Sequence, residues 1–193
     1  EGASSYQADL ASVNGSGVSG TAMVTLDGNT ATVMIDASGL LAGAPHAQHF
    51  HIGALGQCPA NDLSDDADGD GFVSVSEAAK YYGAIGSSLT LEGDTSPDSG
   101  LAVDRFPTAE GGSIAYDRTF EVSDDVHKAF EDGTAVVVLH GFDKDGSGTD
   151  RITDRIRGRW SLPTALAFLA WFVFAPQCLS TIAVTRRETN GWR

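Results

Sequence analysis

VSGTAMVTLDGNTATVMIDASG, residues 18–39, decides the fold. Apolar residues alternate with small or polar ones through "VSGTAMVTLDG" and again through "TATVMIDASG", and an Asp-Gly-Asn turn signal separates the two runs. Successive side chains of a strand point to opposite faces, so this period of two predicts an antiparallel hairpin with one buried face. Outward from it, "YQADLASV" (6–13), "SSLTLEG" (87–93), "GSIAYDRTFEVS" (112–123) and "GTAVVVLHGF" (133–142) repeat the pattern. Only "SVSEAAKYYGAI" (74–85) and "SDDVHKAFEDG" (123–133) read as helices, the second opening on a Ser123 N-cap and an acidic first turn. The expected fold is all-β, a barrel or sandwich with one or two short helices. The long connections 57–71 and 92–112 need a function or an ordering ion or disulfide.

The 193 residues suffice for one domain with a sizeable core and not for a second of similar size. With 26 acidic residues against 12 basic ones the formal net charge is -14, which repels phosphate backbones and disfavours nucleic acid as a partner while suiting divalent cations. Residues 1–150 hold 24 acids and 5 bases, whereas residues 151–193 hold 2 acids and 7 bases, all arginine. The expected division is therefore a β domain over 1–150 and an arginine-containing apolar tail over 151–193. A start at Glu1 with no Met and no apolar leader fits an exported chain whose signal has been removed. The two cysteines, Cys58 and Cys178, form no C-x-x-C pair, which excludes a zinc ribbon or a thioredoxin-type motif.

"DADGDGFVSVSE", residues 66–77, has the spacing of a calcium loop. Asp66, Asp68 and Asp70 stand at positions 1, 3 and 5, Gly71 at 6, Val73 at 8 and Glu77 at 12. Calcium wants six to eight oxygens, which three carboxylates, the Phe72 carbonyl, a water or hydroxyl near Ser74 and both Glu77 oxygens would supply. No helix enters this loop, since Cys58 and Pro59 precede it, but "SVSEAAKYY" can leave it; the reading is a lone calcium loop set in a β scaffold. A weaker run, "DKDGSGTDRITD" (143–154), has Asp150 at the apolar eighth place and Asp154 in place of Glu.

His49 and His51 are two apart, so a strand would put both on one face, and His140 ends another β segment. Imidazoles from two strands can converge on copper or zinc, although an H-x-H pair also occurs as surface or hydrogen-bonded core histidines.

"VSGTAMVTLDGNTATVMIDASGLLAGAPHAQHFHIGALGQC" resembles the start of copper/zinc superoxide dismutases, and "TAVVVLHGFDKDGSG" is similar to their late strand with a further copper-ligand histidine. "HAQHFH", "DGDGFVSVSEAAKYYG" and "LAVDRFPTAEGG" look closer still to bacterial CHRD domains, a related β module. The resemblance covers residues 4 to about 150 and implies a Greek-key barrel or sandwich of superoxide-dismutase type. It carries His49, His51 and His140 onto copper positions, with His46 a candidate fourth nitrogen, and it implies a disulfide from Cys58 to Cys178. The zinc-site segment is replaced by the acidic loop, and Ala175, Pro176 and Gln177 stand where dismutases carry an arginine before the last cysteine. An exported metal-binding module with calcium and copper is thus expected ahead of the alternative, a copper-only superoxide dismutase.

Residues 161–185 carry no charge and are flanked by Arg159 and by Arg186 and Arg187. Three readings stand: a packed strand tied through Cys178, a membrane anchor with the acidic domain outside, or an altered sequence. The protein is accordingly expected to be secreted or extracytoplasmic, metal ions being the partners its sequence names.

Overall fold

A computed structural model describes residues 2–141. The tail 151–193, the second acidic run at 143–154 and Cys178 lie outside the described residues. Strands β1 (Ser4–Leu10), β2 (Ser19–Asp27), β3 (Thr30–Ser38) and β4 (Gln48–Ile52) come first, followed by helix α1 (Val75–Tyr82) and β5 (Ala84–Ser88). Then come β6 (Ser113–Glu121), α2 (Asp124–Glu131) and β7 (Val136–Leu139). Among the described residues they make two antiparallel sheets, one in the order β1-β2-β3-β6 and one in the order β5-β4-β7.

The alternation read from residues 18–39 is realised in full. Ala22, Val24 and Leu26 of β2 and Ala31, Val33 and Ile35 of β3 point inward, and the intervening residues face outward. Asp27 pairs with Thr30 across the two-residue turn Gly28–Asn29. Tyr116 and Phe120 of β6 extend the buried face, and Phe50 of β4, wholly buried, reaches the same cluster from the other sheet with Val126 and Phe130 of α2. That cluster joins the inner face of the larger sheet to β4. Apolar burial at roughly 25 cal/mol per Å² is its driving force.

Two local expectations shift. The helix expected over 74–85 stops at Tyr82, because Gly83 takes φ 85° and turns the chain into β5, where His51 pairs with Ile85 and His49 with Ser88. A side chain at 83 would also place its Cβ 2.0 Å from the Ile52 carbonyl oxygen. The strand expected over 87–93 accordingly ends at Ser88, and the chain to β6 runs through single 3-10 turns at Pro97–Ser99, Val103–Arg105 and Glu110–Gly112. Ser123 caps α2 as read, accepting from the Val126 N–H.

Candidate metal centre

β4 is the middle strand of its sheet, and Gln48, His49, Phe50 and His51 are all buried. Phe50 faces the core, which leaves His49 and His51 together on the other face, as the spacing of two requires. β7 pairs with β4 so that Val138 meets His49, and beyond its end the His140 N–H donates to the Ala47 carbonyl at 2.7 Å. One ring nitrogen from each of His49, His51 and His140 lies within 4.8 Å of the other two.

For His49 and His51, backbone carbonyls fix which nitrogens those are. A carbonyl only accepts, so His49 donates through Nε2 to Gly100 (3.0 Å) and His51 through Nδ1 to Gly83 (2.9 Å). The lone pairs left are on His49 Nδ1 and His51 Nε2. His49 Nδ1 is buried with no hydrogen-bond partner, and His51 Nε2 faces His140 Nε2 at 3.4 Å. The Phe106 ring stands edge-on to His49 at 5.4 Å and the Tyr82 ring to His51 at 4.5 Å, so an aromatic ring packs against each of these imidazoles. Burying a lone pair without a partner is costly, and a metal ion is the group that three converging imidazole nitrogens satisfy.

Burial drives His49 down from 6.5 to about 4, only partly offset by its bond to Gly100 and reinforced by His51. Burial also lowers His51, against its bond to Gly83. His140 falls to about 3 through burial and then the nearness of His49 and His51. All three rings are therefore neutral at neutral pH, so each keeps one unprotonated nitrogen. Because the folded pKa values lie below the unfolded one, the unfolded chain binds more protons between pH 6.5 and 4. The metal-free protein should keep its full histidine contribution above about pH 6.5 and lose stability steadily as pH falls to about 4. Urea midpoints at pH 7.5, 6 and 4.5 test this; a flat profile there would show that the cluster is not buried in solution.

His46 does not join the cluster. Both of its ring nitrogens face backbone carbonyl oxygens, His140 at 2.9 Å and Leu41 at 3.2 Å, and a Cβ at Gly141 would press on its ring at 2.6 Å. It braces the segment that delivers His140, and the expectation of a fourth nitrogen is corrected on that ground.

Asp66, Asp68 and Asp70 bring carboxylate oxygens within 4.8 Å of one another. The Asp66 carboxylate accepts from the Asp70 N–H (3.0 Å) and the Gly71 N–H (2.7 Å), which curls the loop around the first position. Half-buried Phe72 holds the seventh place, where a backbone carbonyl ligand is expected. Glu77 reaches back over the loop: Oε1 accepts from the Ala67 and Asp68 N–H groups (2.8 and 3.3 Å), and Oε2 from the Ser74 N–H and hydroxyl, both at 2.7 Å. These bonds hold its carboxyl down from 4.5 to about 2, the Ser74 N–H contributing most. Residues 58–65 contain no helix, as expected.

Sequence reasoning missed the residues that orient the histidines, Gly83, Gly100, Tyr82 and Phe106, and two that support the loop. Asp65 is buried, paired with Lys80 at 2.7 Å and accepting from the Tyr81 hydroxyl at 2.8 Å. Asn14 bonds to the backbone of Val73 through both atoms of its carboxamide. The signal the sequence carries there is that Asn14 opens an Asn-Gly dipeptide, a turn former. Cys58 is exposed and has no disulfide partner among the described residues.

No family model matches the chain, and no solved structure matches it. Among curated proteins, the Fe(2+) transporter FeoB of Leptospira biflexa is 33% identical over an alignment of 66 residues that covers 30% of this chain and 10% of that protein. The chain thus spans about a tenth of the length of that relative.

Proposed function

We propose that this chain is an exported metal-binding β module of the Greek-key, superoxide-dismutase-like type, with structural calcium in residues 66–77 and copper at His49, His51 and His140. The observation that carries the reading is the buried His49 Nδ1 without a hydrogen-bond partner, facing a cluster whose donor set is imidazole alone. Neutral imidazole suits copper and zinc, and two carbonyl-bound histidines on one strand arrive with tautomer and orientation already set. His49 would hold the ion through Nδ1 and His51 through Nε2, with His140 closing the set. Bound copper would supply one-electron exchange, and Phe106 and Tyr82 would keep bulk water from the two rings.

A scaffolding or metal-handling role is favoured over catalysis by the two arginines among the described residues. Arg105 donates to the Asp94 carbonyl and the Ser99 hydroxyl, and Arg118 to Thr90 and Gly93, so neither offers its guanidinium to an anion beside the histidines. Cys58 pairing with Cys178 belongs to the same proposal of an extracytoplasmic protein, and contact of residues 161–185 with a membrane is the alternative to that pairing. The deciding experiment loads the protein with one equivalent of Cu(II), removes unbound metal and measures superoxide disproportionation. The module reading expects bound copper with no rate above that of a histidine-free control. A rapid rate that His140→Ala abolishes would make the protein a copper-only superoxide dismutase, and no retained copper would end both versions.

A further inference from the structure

The candidate calcium loop and the histidine cluster are two ends of one short helix. Ser74 and Glu77 form a capping box at the N-terminus of α1, and Glu77 is also the twelfth residue of the loop. At the other end, the Gly83 N–H closes on the Ala79 carbonyl at 2.8 Å, and the Gly83 carbonyl accepts from His51 Nδ1 at 2.9 Å. The Tyr82 ring lies against the His51 ring. Gly83 lies so near the Ile52 main chain that a Cβ there would clash with it, so this end of α1 adjoins β4 directly.

A second route runs through packing. Val73, the eighth residue of the loop, shares a buried cluster with Ala78 and Tyr82 of α1 and with Val136 of β7, and Val138 packs against it. β7 is the strand that leads into His140. The loop itself is braced from outside. The Asn14 carboxamide donates to the Val73 carbonyl at 3.0 Å and accepts from the Val73 N–H at 2.7 Å, the pair of bonds a neighbouring strand would make.

From this juxtaposition we propose that calcium binding at residues 66–77 raises the affinity of the histidine cluster for copper, with α1 and the Val73–Val136 packing as the connecting element. The proposal rests on the metal readings above. An eight-residue helix is too short to persist without its anchors. Removing the cation leaves the Asp66, Asp68 and Asp70 carboxylates mutually repelling beside Glu77, which loosens the first turn of α1. A loosened α1 withdraws the Gly83 carbonyl from His51, whose ring then loses the bond that keeps its Nε2 lone pair aimed at the cluster. Linkage makes the effect reciprocal, so copper raises calcium affinity by the same factor.

The test uses the full chain, stripped of metals by dialysis, with Cu(II) affinity measured by competition against a chromophoric chelator. One sample contains calcium chloride, a second magnesium chloride at the same ionic strength, and a third neither. Copper affinity is expected to rise about 5- to 150-fold with calcium, the usual range for coupled sites, and to stay near the metal-free value with magnesium. Glu77→Gln should remove the response to calcium. Tyr82→Leu should keep calcium binding and diminish the response. Equal copper affinity with and without calcium, while both ions bind, overturns the coupling and leaves the two sites standing; so does an equal effect of magnesium, which would reduce it to screening. Absence of copper binding in every sample overturns the histidine reading itself, and the coupling with it. The wild-type comparison needs no variant, so a variant that fails to fold does not protect the proposal.

Discussion

His140→Ala is expected to weaken Cu(II) binding by more than about a hundredfold, since groups that only orient a metal ligand are commonly worth 10- to 100-fold and His140 would be a ligand itself. His140 Nε2 faces His51 Nε2 at 3.4 Å, and with the ring gone the site keeps two nitrogens, both on β4. Depressed histidine pKa values sharpen the prediction: the wild-type site should hold copper well below pH 6.5, the ordinary imidazole value, because protons compete only near the lowered values. Calorimetric titration and the nitrogen hyperfine pattern in the Cu(II) EPR spectrum read this directly. His46→Ala supplies the contrast. Its ring bonds only to main-chain carbonyls, so the copper stoichiometry and the nitrogen pattern should survive while stability falls. If His140→Ala binds copper like the wild type, the three histidines are a hydrogen-bonded core cluster and nothing more.

Calcium at a hundredfold excess over its dissociation constant should stabilise the fold by about 2.7 kcal/mol, the linkage value for an ion that binds only the native state. For a domain of this size that corresponds to a rise of roughly 10 °C in Tm. Glu77→Gln isolates the effect, because glutamine can still close a capping box with Ser74 but offers calcium no bidentate carboxylate. The variant should have a lower unliganded Tm, because an amide cannot accept all four bonds that the carboxylate takes, and should gain little on adding calcium. Because its carboxyl is held down to about 2, Glu77 stays ionised in mild acid, and the calcium response should persist at pH 5. A Tm indifferent to calcium at pH 7 would return residues 66–77 to the status of a solvated acidic loop.

The hairpin at the centre of the larger sheet was legible because its two runs alternate cleanly and one face is buried; Val24 and Val33 had to point inward together once the turn was placed. The order of the carboxylates was equally plain, since Asp66, Asp68, Asp70 and Glu77 follow one another within twelve residues. The end of α1 was harder to read. "AAKYYGAI" carries helical residues past Gly83, and only pairing of Ala84 and Ile85 with Ile52 and His51 commits them to a strand.

What the sequence determined by itself is therefore local: the period of two in β2 and β3, the placing of His49 and His51 on one face, the cap at Ser123, and the order of carboxylates along the loop. Chain geometry alone enforces these over a few residues. What only the tertiary structure decided is which nitrogens meet. Gly100 reaches His49 across 51 positions, Gly83 reaches His51 across 32, and His140 reaches His51 across 89, whereas His46, five positions from its Leu41 partner, turns both nitrogens to main-chain carbonyls. A carbonyl can follow any residue in a sequence. Its capture of one imidazole nitrogen, and so which nitrogen keeps its lone pair, depends on how the loops close around the sheet.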